Sequence, residues 1–177
     1  MEPAIIIVTG IMASGKSTVA ELLSLRFERG VHLRGDVFRR MITSGREEMA
    51  EIPSEEALRQ LRLRYNIAVT AAKQYYDSGF TVVLQDNYLG GELNYIVSQL
   101  VGYPLHVVVL NPSVETVKQR EAARGKKGYV GFTVEGLHEA FLRETPRIGL
   151  WIDSSDLTAE QTVDEIERRV EDTVVEV

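Results

Sequence analysis

Short runs of uninterrupted apolar, mostly β-branched residues mark the chain at 4–9 (AIIIVT), 81–84 (TVVL) and 105–110 (LHVVVL). Runs of this length without polar alternation predict strands buried on both faces, as in a parallel sheet. Residues 31–34 and 149–152 predict two weaker strands. Between them the polar and apolar positions predict helices over about 16–29, 36–44, 54–78, 92–101, 113–123, 133–144 and 159–175. Gly30 and Gly79 stand where helix stops are wanted, and Thr158 with Gln161 has the spacing of a capping box. Strands that alternate with helices predict an α/β fold whose parallel strands are joined by right-handed crossovers. There is no internal repeat, low-complexity tract or long linker, so one domain is expected over 1–177.

Composition narrows the classes. At 177 residues the chain can bury roughly 70% of its unfolded surface and needs no covalent staple. It contains no Cys, which excludes a disulfide framework, a thiolate metal centre and a cysteine nucleophile. With 20 Lys and Arg against 26 Asp and Glu, the net charge of −6 argues against a general nucleic-acid binder. The acidity is local: residues 156–177 hold eight acidic and two basic side chains, and the remainder is neutral. The beginning of the chain lacks a basic stretch, and its apolar run is too short for a leader or a membrane span, so a soluble, cytoplasmic protein is expected with no membrane partner. His32, His106 and His138 have no ligand spacing and predict no zinc site.

Directly after the first predicted strand comes Gly10-Ile11-Met12-Ala13-Ser14-Gly15-Lys16-Ser17, followed by Thr18. This fits G-x-x-x-x-G-K-[ST] in its required strand-loop-helix setting. Two glycines let the backbone curl so that successive N–H groups converge on an anion, and the next helix adds its N-terminal amides. Lys16 then reaches the β- and γ-phosphates, Ser17 offers a hydroxyl to Mg²⁺, and Thr18 stands on the α-phosphate side. ATP and Mg²⁺ are the cofactors expected.

The sequence has no Asn-Lys-x-Asp run and no Asp-x-x-Gly switch after a strand, so a GTPase is not indicated. In element order and phosphate loop the chain resembles the small P-loop phosphotransferases, a group that includes chloramphenicol phosphotransferase, the kinase domain of polynucleotide 5′-hydroxyl kinases and gluconate kinase. The resemblance implies a five-stranded parallel sheet of order 2-3-1-4-5. It also implies a role for Asp36 in the segment Leu33-Arg34-Gly35-Asp36: in those kinases an Asp at this point takes the proton of the acceptor hydroxyl. A carboxylate suits that task, and Asp36 could also serve as the N-cap of the following helix. Arg39, one turn on, would face the acceptor. Asp86 and Asn87, after the third strand, are expected at the acceptor, with Asp86 either at the metal or in a strand-end turn. Arg120 and Arg124 share a helix face, and by resemblance belong to a short lid, about 124–131, that closes over ATP.

No arginine occurs from Tyr65 to Gln119, where nucleoside monophosphate kinases carry one that holds the acceptor phosphate. That gap favours an uncharged small molecule with a hydroxyl as the acceptor. The alternatives are a polynucleotide 5′-hydroxyl kinase, a nucleoside monophosphate kinase and a non-catalytic nucleotide sensor. The sequence leaves the oligomeric state open.

Overall fold

In the computed structural model, which describes residues 2–125, 129 and 131–176, five parallel strands form one sheet in the order β2-β3-β1-β4-β5. The strands are β1 (Ile5–Thr9), β2 (Gly30–Arg34), β3 (Thr81–Gln85), β4 (Leu105–Leu110) and β5 (Leu150–Ile152). Helices α1 (Lys16–Ser24), α2 (Asp36–Arg40), α3 (Glu55–Asp77), α4 (Gly91–Gln99), α5 (Val114–Ala123), α6 (Val134–Glu144), α7 (Ala159–Arg168) and α8 (Val170–Thr173) connect and follow them. The sheet order is the one the resemblance implies.

Period-two alternation sorts the strand side chains between two cores. Ile5, Ile7, Val82, Leu84, Val107 and Val109 face α3, α4 and α6, where Tyr65, Leu93 and Phe141 are buried. Ile6, Val8, Val83, Val108, Leu150 and Ile152 face α1 and α7, represented by Val19, Leu23, Val163 and Ile166. Because both faces are covered, the central strands are apolar throughout, which is why the sequence shows runs and not alternation. No helix among the described residues is long and apolar enough to cross a membrane.

Several ends differ from the sequence expectation. Helix α1 stops at Ser24, five residues before the predicted end, and Gly30 belongs to β2. A Cβ on Gly30 would lie 1.9 Å from the Ser24 carbonyl oxygen, so the glycine permits the chain to fold back on the helix end. Gly79, in contrast, does end α3: at φ 83° it closes a Schellman turn, with the Phe80 N–H on the Tyr75 carbonyl at 3.1 Å and its own on Tyr76 at 2.7 Å. Helix α2 is only five residues long, and the chain from 43 to 54 contains no regular element. The final predicted helix breaks at Arg169, beyond which Val174 pairs with His106 and the Val175 N–H reaches the Leu105 carbonyl at 3.0 Å, covering the edge of β4 that β5 leaves open. The capping box of α7 forms as expected: Gln161 N–H donates to Thr158 Oγ1 at 3.1 Å and Thr158 N–H to Gln161 Oε1 at 2.9 Å. Trp151 stacks on Phe141 at 5.1 Å and belongs to the core.

Candidate active site

The loop between β1 and α1 carries its backbone in a shape that only its sequence allows. Gly10 (φ 146°) lies so close to β4 that a Cβ would sit 2.4 Å from the Leu110 carbonyl oxygen. Gly15 (φ 97°) precedes α1 in the left-handed region, and no side chain caps that helix. The amides at the start of α1 therefore point into the cleft with no side-chain acceptor, the arrangement an anion requires. Ala13 also has positive φ, at 63°.

Lys16 is 6% exposed and its Nζ donates to the Ile11 carbonyl at 2.7 Å, which folds the ammonium into the curl of the loop. Burial lowers its pKa to about 7, opposed by the charges of Asp86 and Asp36 and assisted by Arg124. Arg120, from α5, spans the cleft wall: it donates to the Ser14 carbonyl at 3.0 Å and to the Ser154 carbonyl at 2.8 Å. The phosphate loop, α5 and the segment after β5 are thereby tied together.

These groups line one open cleft of about 630 Å³, with Met12, Ala13, Ser14, Gly15, Ser17 and Thr18 along the loop and Asp36 and Asn87 also in its lining. Arg120 and Arg124 form the side of the cleft nearest α5. Three side-chain oxygens there, Ser14 Oγ, Ser154 Oγ and Asp36 Oδ1, have no hydrogen-bond partner among the described residues. Buried polar atoms are seldom left this way unless a ligand or water completes them.

Asp36 is the first residue of α2, not its N-cap, which is Gly35, and it makes no capping hydrogen bond. Its carboxylate lies 3.6 Å from Arg34 and 3.3 Å from Arg40. Arg39 turns away from the cleft and pairs with Glu48 at 2.9 Å, because the irregular segment after α2 brings that carboxylate back to it. The lid expected at about 124–131 falls partly on 126–128 and 130, outside the described residues. Of its neighbours, Tyr129 donates its hydroxyl to the Met12 carbonyl at 2.7 Å.

The structure does not bring Asp86 to the metal side. Its neighbour Gln85 shares the face of Val83, toward α1, and accepts the Ser17 hydroxyl at 3.3 Å. One residue further, the pleat turns Asp86 to the α3 face, where Arg64 binds both of its oxygens, one through Nε at 2.7 Å. Asp86 is 2% exposed. Gly35 makes room for it, since a Cβ there would lie 2.2 Å from Oδ2. Strand alternation was the signal for this: counting from Val83, the second position along is Gln85. Arg34 is a further cleft residue that the sequence reading did not single out; it lies opposite Gln85 in the β2–β3 ladder.

Among the described residues no cluster of three or more His, Asp or Glu could hold a metal by itself. Ser17 and the carboxylate of Asp36 in an otherwise cationic cleft fit a metal that arrives with phosphate oxygens, the usual manner of Mg²⁺.

Comparison with known proteins agrees with this architecture. A search of curated protein sequences returns no match. Among solved structures, the chain is similar to the APS kinase of Mycobacterium tuberculosis in complex with AMPPNP and APS, with a TM-score of 0.72, 17% identity and coverage of 96% of this chain and 98% of the other. It is similar to the tunicamycin resistance protein of Deinococcus radiodurans, with a TM-score of 0.69, 17% identity and 99% of each chain covered. Shikimate kinase of Aquifex aeolicus gives a TM-score of 0.64 at 18% identity, covering 94% and 96%. The AAA domain family model matches residues 5–144, and so this chain, built on the fold of the small P-loop kinases, belongs to the AAA domain family.

Proposed function

We propose that the protein is an ATP- and Mg²⁺-dependent kinase that transfers the γ-phosphoryl group to a hydroxyl of a small molecule. The observation that carries this reading is one cleft lined by both a buried phosphate-loop lysine and Asp36. In the proposed reaction the acceptor hydroxyl gives its proton to the Asp36 carboxylate as its oxygen bonds to the γ-phosphorus. The bond to the β–γ bridging oxygen breaks, and ADP leaves with that electron pair. Lys16 and the loop amides hold the phosphates, Thr18 stands beside them, and Arg120 and Arg124 offset the negative charge of the transferred group. Asn87 binds the acceptor. Mg²⁺ would offset the negative charge of the phosphates, and Ser17 is the side chain that would hold it. A panel of sugars, nucleosides, simple alcohols and antibiotics, scored for ADP release with each acceptor, tests the reading. Transfer to at least one uncharged hydroxyl compound is the expected result; turnover confined to AMP, CMP or oligonucleotides would replace it.

The lysine gives this site a pH signature. Free Lys16 loses its proton near pH 7, whereas triphosphate beside it favours the charged form. Binding at pH 8 must therefore take up a proton. Calorimetry in buffers of different ionisation enthalpy is expected to show uptake of about one proton, with affinity falling about tenfold per pH unit above pH 7. An affinity flat from pH 6 to about 9 would mean that Lys16 is already charged in the free protein.

A further inference from the structure

Strand β3 ends in two adjacent polar side chains that the pleat separates. Gln85 is 6% exposed and accepts the Ser17 hydroxyl, while the charge of Asp86 is taken up by Arg64 on the opposite face. Of the described residues that line the cleft, Asp36 is the one acidic side chain. Carboxylates act on the groups beside Gln85, Glu21 and Asp36 on His32 and Asp86 on Lys16, but none of the three is hydrogen-bonded to Ser17. The partner of Gln85 across the ladder is Arg34, and His32, on the same face of β2, has a lowered pKa, first through burial. Lys16 is the residue immediately before Ser17.

We infer that Gln85 is the positioning residue for the metal, acting through Ser17, and that its neutral amide makes Mg²⁺ binding depend on the phosphates of the nucleotide. A hydroxyl ligand offers the metal a lone pair and must direct its proton elsewhere. The Gln85 amide oxygen accepts the hydrogen bond of that hydroxyl and so aims the Ser17 lone pair into the cleft. A carboxylate in the same place would do this and also add a full negative charge within a few ångströms of the dication. In a partly buried site that attraction is strong, and the amide replaces it with a dipole. With the Arg34 guanidinium in the same cleft, a lone Mg²⁺ meets repulsion, and the nucleotide must bring the compensating charge. The metal thus acts as part of the substrate, with no residence in the free protein.

This inference rests on the phosphotransfer reading, and the test separates the two. Binding of a non-hydrolysable ATP analogue is measured by calorimetry across a Mg²⁺ series for wild type, Gln85→Glu and Gln85→Leu, with thermal melts to establish folding. Gln85→Glu is expected to lower the Mg²⁺ midpoint about tenfold and to weaken analogue binding when the divalent ion is chelated. Gln85→Leu is expected to raise the midpoint several-fold, since Ser17 loses the acceptor that orients it. Wild type without nucleotide is expected to take up no Mg²⁺. If Gln85→Glu melts early, the Gln85→Leu shift alone decides. Analogue binding with midpoints unchanged in the folded variants would overturn the Gln85 assignment and leave the kinase reading standing, as would tight Mg²⁺ uptake by the free protein. Failure of wild type to bind the analogue at any Mg²⁺ concentration would overturn both.

Discussion

Asp36→Asn is expected to lower kcat for a true acceptor by about 10²–10⁴-fold, the usual range for loss of a positioned general base. The asparagine keeps the size and hydrogen-bonding reach of the aspartate but cannot accept the proton, so KM should change little. The structure removes the main competing explanation. Gly35, not Asp36, is the N-cap of α2, and Asp36 makes no capping hydrogen bond. Its two arginine neighbours are half-exposed contacts at 3.3 and 3.6 Å, so the loss of fold stability should stay within about 1 kcal/mol. Steady-state kinetics and a thermal melt on the same preparation check both statements. A kcat within a few-fold of wild type would remove Asp36 from the role of base, whereas a large drop in melting temperature would return it to a structural one.

The largest stability effect is expected one layer below. Arg64→Ala should destabilise the fold by about 3–5 kcal/mol, because it leaves the Asp86 carboxylate buried beside Tyr65 and Tyr88 without its cation. The pair is nearly closed to water, with side-chain exposures of 9% and 2%. Asp86 also accepts the Asn87 N–H at 2.7 Å and packs where Gly35 gives way, so the same loss should loosen the cleft floor. Replacing both members, Arg64→Met with Asp86→Leu, is expected to recover most of the stability, since no charge is then stranded. Denaturant titration of the single and double variants measures the difference. If Arg64→Ala unfolds at the wild-type midpoint, water reaches Asp86 and the pair is not the closed contact described above.

Much of the fold could be read before any coordinates. The apolar runs at 4–9, 81–84 and 105–110 became β1, β3 and β4 because strands covered on both faces carry no polar residues to hide. Strand order was different in kind: it came through a resemblance, since pairing between distant segments leaves no local trace. The phosphate loop was legible because its chemistry needs glycine and lysine at fixed spacing. What could not be read depended on contacts between remote segments. Arg39 was expected to face the acceptor, and Glu48, nine residues on in an irregular stretch, turns it outward. Arg64 sits within a long helix, and nothing in its neighbours tells that it reaches across to Asp86. Gln85 and Asp86 differ by one position and by the whole thickness of the sheet. A sequence reading that looks for an acid at a strand end selects the second, and only a strict count of alternation selects the first.

The two halves of the cleft hang on unequal parts of the sheet. The phosphate loop follows β1, the middle strand, whose five residues are all buried, while Asp36 follows β2, an edge strand in which no residue is fully buried. Local opening should therefore be far easier around β2 and Asp36, and backbone amides there should exchange with solvent well before those around Lys16. Mutational drift will follow the same gradient. Substitutions around Asp36 disturb little packing, whereas those around Lys16 disturb the centre of both cores. If the proposed kinase reading holds, a scaffold built this way can change its acceptor without relearning how to hold the phosphate donor.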